Sequence, residues 1–304
     1  MAESVQNGPQ QTSIQQTLIG AKQVAHDVEE RRSSNGVRFA TYGETGIANV
    51  ELDRILEAVP AGIVAALQGN TYYFVPLALR ATRDETAPAA EEMARVAEPA
   101  MVASVWSDEL SDAAICHRNV ELASGHQGVF ISTRLLADRF ALSFEFFINV
   151  AHAFVDKAGV PQSFSEMVWK QAVENVKGET SLDAWEARNL AFGRAANAMP
   201  AEPLAPARRT RAFAPVLRSL SASAGGEQAA IDEKERGHYV TAAFTDAVAI
   251  YLLSLALDFN YSDLRERDYP LIAPVALAER LRAVAELFPA NPGYEFAVKY
   301  RKRA

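Results

Sequence analysis

Five side chains in two stretches of this chain could hold a divalent metal: Glu145, His152 and Asp156 in one, Glu235 and His238 in the other. His152 and Asp156 stand at i and i+4, and Glu235 and His238 at i and i+3. On an α-helix such spacings bring both groups of a pair to one face, one turn apart. Carboxylate and imidazole together suit a hard to borderline ion such as Fe²⁺ or Zn²⁺. Held with an open coordination position, iron would support oxidative chemistry and zinc hydrolytic chemistry on a small-molecule substrate. Glu145 lies two turns before His152 and is flanked by Phe144, Phe146 and Phe147, where an unpaired carboxylate would be costly. His117 and Glu121, again i and i+4 if helical, form a lesser candidate pair.

The Glu-x-x-His element at Glu235 and His238, with Glu145 and the His-x-x-x-Asp of His152 and Asp156 on a facing helix, resembles part of the ligand pattern of ferritin-like and haem-oxygenase-like di-iron proteins. The resemblance implies a helical bundle with ligands projecting inward from facing helices. This chain departs from the ferritin-like pattern in having one Glu-x-x-His rather than two, and in placing its His-x-x-x-Asp first. The rival reading is a non-catalytic interaction or scaffold protein, whose polar strip is a solvated ridge and whose apolar helices bury one another or a second copy in a homo-oligomer.

The elements that must position these residues follow from periodicity. From Asp138 to Asp156 the chain reads as one helix, with Asp138, Glu145, Asn149, His152 and Asp156 inside an arc of roughly 60° and an otherwise apolar surface. Such a helix is wrapped by protein on most sides, and the apolar run Tyr239 to Leu257, within a helix expected from about Glu227, is its natural partner. Further helices are expected over 13–32, 50–67 with a break near Pro60, 88–97, 108–122 with Ser107 as N-cap, from Thr180 or Ser181 through Trp185, and over 274–288. Short stretches rich in Val, Phe and Tyr at 37–42, 71–79, 101–106 and 128–132 read as strands. The expected fold is therefore mainly α (α+β): a helical bundle built around a buried central helix, with a small β component in the N-terminal half. Residues 1–11 read as a disordered tail and 12–304 as a single mostly helical domain, with the Pro-rich loop 199–207 the one place it could subdivide.

Composition bounds the function classes. A net charge of −8 over 304 residues argues against general affinity for nucleic acid or an anionic membrane surface, both of which rely on a basic face. The single cysteine, Cys116, permits no internal disulfide, and the polar N-terminus carries no secretory signal, so a cytoplasmic location is expected. The apolar core of 239–257 is far shorter than the ~20 residues of a membrane span, and reads as a buried helix of a soluble protein. No P-loop, dinucleotide fingerprint, Gly-x-Ser-x-Gly or His-Glu-x-x-His occurs. Cys116 and His117 would point about 100° apart on a helix and could not act together there.

Overall fold

The computed structural model describes residues 18–80, 100–196, 231–264 and 269–299. Two parts build the molecule: a pair of sheets from the first half and a group of helices from the second. The larger sheet holds β2 (Arg31–Arg32), β3 (Arg38–Thr41), β4 (Asn70–Val75), β9 (Gln127–Ser132) and β8 (His117–Glu121), in the order β2-β3-β4-β9-β8. Its three central strands run parallel, while β2 and β8 run antiparallel at the two edges. The smaller sheet, in the order β1-β6-β5-β7, joins β1 (Leu18–Gly20), β6 (Met101–Ala103), β5 (Leu77–Leu79) and β7 (Ala114–Ile115) in antiparallel pairs.

β4 shows why these residues make a central strand. Its sequence Asn-Thr-Tyr-Tyr-Phe-Val is buried at every position, as expected of a parallel strand covered on both faces. Tyr72 and Phe74 face the helices and meet Phe146 at ring separations of 5.0 and 5.8 Å. Tyr73 and Val75 face the other way, into a second core with Val24, Val102 and Phe130. Pro76 cannot donate to a ladder, and there the chain leaves the larger sheet to form β5 in the smaller one. Between β3 and β4 it crosses through α2 (Asn49–Glu57) and α3 (Ala61–Val64), separated at Pro60.

The long helix α5 (Arg139–Ala158) lies on the helical side of the larger sheet. The Asp138 side chain caps it by accepting from Phe140 N at 2.7 Å, and Gly159 ends it with φ of 71°. Its most extensive contact is with α8 (Glu233–Ala256), which in turn packs on α7 (Leu182–Ala191), α9 (Pro274–Leu287) and α6 (Gln162–Val173). α8 is the one described helix long and apolar enough to cross a membrane, yet 83% of its apolar window is buried inside the protein.

The expected helical bundle with a small β part is corrected by these nine strands in two sheets: the fold is a mixed α+β architecture. The largest local error lies at 108–122. Only α4 (Asp108–Ser111) is helical there, and most of the rest forms β7 and β8. The expected first helix is likewise shorter, α1 (Ala21–Asp27) between β1 and β2. The expectations for 1–11, 88–97 and 199–207 lie outside the described residues.

Candidate functional site

β8 is an edge strand, and its register decides which side chains reach α5. Residues opposite one another in an antiparallel pair point to the same face. His117 stands opposite Ile131, which belongs to the core shared with α5, whereas Val120 turns to the second core. His117 is thereby aimed at α5, whose polar strip presents Glu145 and Asn149. The His117 Nδ1 and Glu145 Oε1 atoms are hydrogen-bonded to each other. Asn149, itself buried, donates its amide to the Glu145 carbonyl at 2.8 Å and lies 3.4 Å from the carboxylate oxygen.

An ionised carboxylate can only accept, so beside it the shared hydrogen belongs on Nδ1, and Nε2 is the ring nitrogen left to take a proton. The side chain of Glu145 is 17% exposed and that of His117 is 37%, which leaves the imidazole open to solvent while the carboxylate is largely enclosed. Cys116 precedes His117 and is an exposed residue, but burial around its thiol, and then the charge of Glu145, push its pKa up. A thiol held protonated is a poor nucleophile. The arrangement is thus an imidazole held by a carboxylate, a geometry that can support general-base chemistry.

The other sequence-derived candidates do not join it. His152 and Asp156, one and two turns beyond Asn149, are exposed, and so is Glu121 on β8. Glu235 and His238 pair with each other at 3.3 Å at the start of α8, with His238 58% exposed. Among the described residues no group of three or more His, Cys, Asp or Glu side chains is placed to hold a metal ion. The helical pairing of His117 with Glu121 is corrected too, because both stand on a strand. The polar strip of α5 is exposed at Asp138, His152 and Asp156, half-buried at Glu145 and buried at Asn149, so it is not one continuous solvated ridge.

The most elaborate polar cluster lies elsewhere and was not legible as a site. Glu179, fully buried, accepts from Arg188 and Arg280 at 2.9 Å each and from the Tyr239 hydroxyl at 2.8 Å. Arg280, also fully buried, adds bonds to Gln171 Oε1 at 2.9 Å and Tyr239 Oη at 3.1 Å. This cluster ties α6, α7, α8 and α9 together with every strong donor matched, so its role is structural. One signal could have found it: Arg280 falls on the apolar stripe of α9 with Leu277, Leu281 and Val284. In comparisons with family models, with curated proteins and with solved structures, nothing matches this chain.

Proposed function

We propose that the chain is an enzyme that activates water against a small-molecule acyl or related ester bond, with His117 as general base, Glu145 orienting it and Asn149 holding Glu145. The observation that supports this reading is the relay itself: a buried amide, a mostly enclosed carboxylate and an imidazole whose side chain is 37% exposed. The carboxylate fixes the ring and its tautomer and stabilises the imidazolium formed when Nε2 takes a proton from water. Positioned general bases contribute about 10²- to 10⁴-fold to rate.

The test is hydrolysis of a chromogenic acetate ester by wild type and by His117→Gln, Glu145→Gln and His152→Gln. His117→Gln should lose at least ~10²-fold, within that general-base range, and Glu145→Gln, which removes only the group that orients the base, at least ~10-fold. His152→Gln, an exposed histidine on the same helix, should keep wild-type rate. Prior treatment with a chelator should leave the rate unchanged, since the base is an imidazole. Equal rates for wild type and His117→Gln would overturn the proposal.

A further inference from the structure

A second site lies at the opposite end of β8 from His117, and it does not depend on the reading above. There a pocket of about 460 Å³ opens between α1, the start of β3, β4 and the turn that joins β8 to β9. A volume of this size falls in the range of small-ligand sites. Ala25, Leu122 and Ala123 give it apolar walls, and Lys22, Arg38 and His126 reach it from three separate elements.

The charges in this pocket do not simply cancel. Glu30 is already saturated: it accepts from Arg38 Nη2 at 2.5 Å and Nε at 3.1 Å, from the Tyr73 hydroxyl at 3.1 Å and from Thr71 at 3.3 Å. The Arg38, Tyr73 and Thr71 hydrogen bonds outweigh the opposing effect of burial and hold its carboxyl below the usual range. Arg38 is a donor only, so its 3.0 Å contact to His126 Nδ1 leaves that imidazole as the Nε2–H tautomer, with a donor to spare. His26 is engaged by Asp27 at 3.0 Å. The pairing of Glu30 with Arg38 leaves the Lys22 ammonium as the one cation among the lining residues without a lining carboxylate opposite it. Among the residues that line the pocket, Lys22 and Arg38 stand against the single carboxylate of Glu30, on a chain whose net charge is −8.

We infer that this pocket binds a small organic anion, an apolar body carrying one carboxylate, with Lys22 and the Nε2–H of His126 facing the anionic group and Leu122 and Ala25 the apolar part. Amide spectra of the full chain during titration with benzoate, hexanoate and the uncharged benzamide test it. Benzoate and hexanoate should perturb residues 22–26 and 122–126 and bind at least tenfold more tightly than benzamide. Lys22→Glu, a change at an exposed helix position, should abolish that preference, and Lys22→Arg should retain it. Two results would overturn the inference: no perturbation of these segments by either carboxylate at millimolar concentration, or an unchanged preference in Lys22→Glu.

Discussion

Replacing Glu179 by Gln changes no volume and removes one charge, and its cost can be worked from the contacts. The carboxylate serves two guanidinium groups that are 6% and 1% exposed, so its loss strands cations that water cannot reach. Breaking a buried pair in this way costs about 3–5 kcal/mol. Arg188 retains carbonyl partners, Val176 O at 2.8 Å and Gly178 O at 3.2 Å, so most of the penalty falls on Arg280. The glutamine amide can still accept from one arginine but turns its NH₂ toward the other. These two effects place Glu179→Gln near the lower end, at about 3 kcal/mol. In a urea titration with a slope of about 3 kcal/mol per molar, the midpoint should fall by about 1 M at an unchanged slope. The exposed pair of Glu235 with His238 supplies the contrast, because Glu235→Gln should cost less than about 1 kcal/mol. Converting Glu179 to Met together with Arg188→Leu and Arg280→Met should recover much of the loss, since no charge is then stranded. A midpoint for Glu179→Gln within about 0.2 M of wild type would refute the reasoning, as it would fall below about 1 kcal/mol on that slope.

Two further predictions concern the same region. Asp246 is buried, and burial pushes its carboxyl from 3.8 up to about 6 despite hydrogen bonds from Ser181 and Thr180 and the charge of Arg280. A pKa raised by folding means that the protonated form is favoured in the native state. This group's stabilisation is therefore fullest below about pH 4 and declines as pH rises to about 6, by roughly 3 kcal/mol in all. Asp246→Asn should remove that decline, and equal pH slopes for the two proteins between pH 4 and 7 would show the assignment to be wrong. Gly178 has φ of +80°, and a Cβ there would lie 2.2 Å from the Leu271 carbonyl oxygen, where the chain forms a parallel bridge between Glu179 and Leu271. Gly178→Ala should therefore cost more than the ~1 kcal/mol of a simple left-handed glycine replacement and loosen the anchor of Glu179. Thermal unfolding reads it directly, and an unchanged Tm would count against the close approach.

The central helix was legible because its signals are local. Asp138 caps it, Gly159 ends it, and the uninterrupted apolar character between them requires cover on several sides, which α8 supplies. The break of α2 from α3 at Pro60 and the start of α7 at Ser181 were legible for the same reason. β8 was not, because a lone inward Val120 among His117, Arg118, Asn119 and Glu121 carries no strand pattern, and Ser107 with Asp108 and Glu109 does start a helix, though of only four residues. What makes 117–121 a strand is its partner β9, a tertiary fact. The smaller sheet is built from strands of two or three residues, too short for any period to register. Glu145 was legible as a carboxylate in need of a partner among phenylalanines. That the partner is His117 depended on the strand that sequence periodicity had read as helix. Buried Glu179 and Arg188 left no local trace, since charged residues are ordinarily exposed and nothing nearby distinguishes these two.

The account rests on Glu145 fixing His117 with its proton on Nδ1 and Nε2 free as the base, and long-range ¹H–¹⁵N correlation of the histidine rings tests this most directly. Above the imidazole titration, the His117 ring should show a protonated Nδ1 and a bare Nε2, and Glu145→Gln should shift it toward the ordinary tautomer mixture. An Nε2–H tautomer in the wild-type protein, or a ring indifferent to Glu145→Gln, would contradict it.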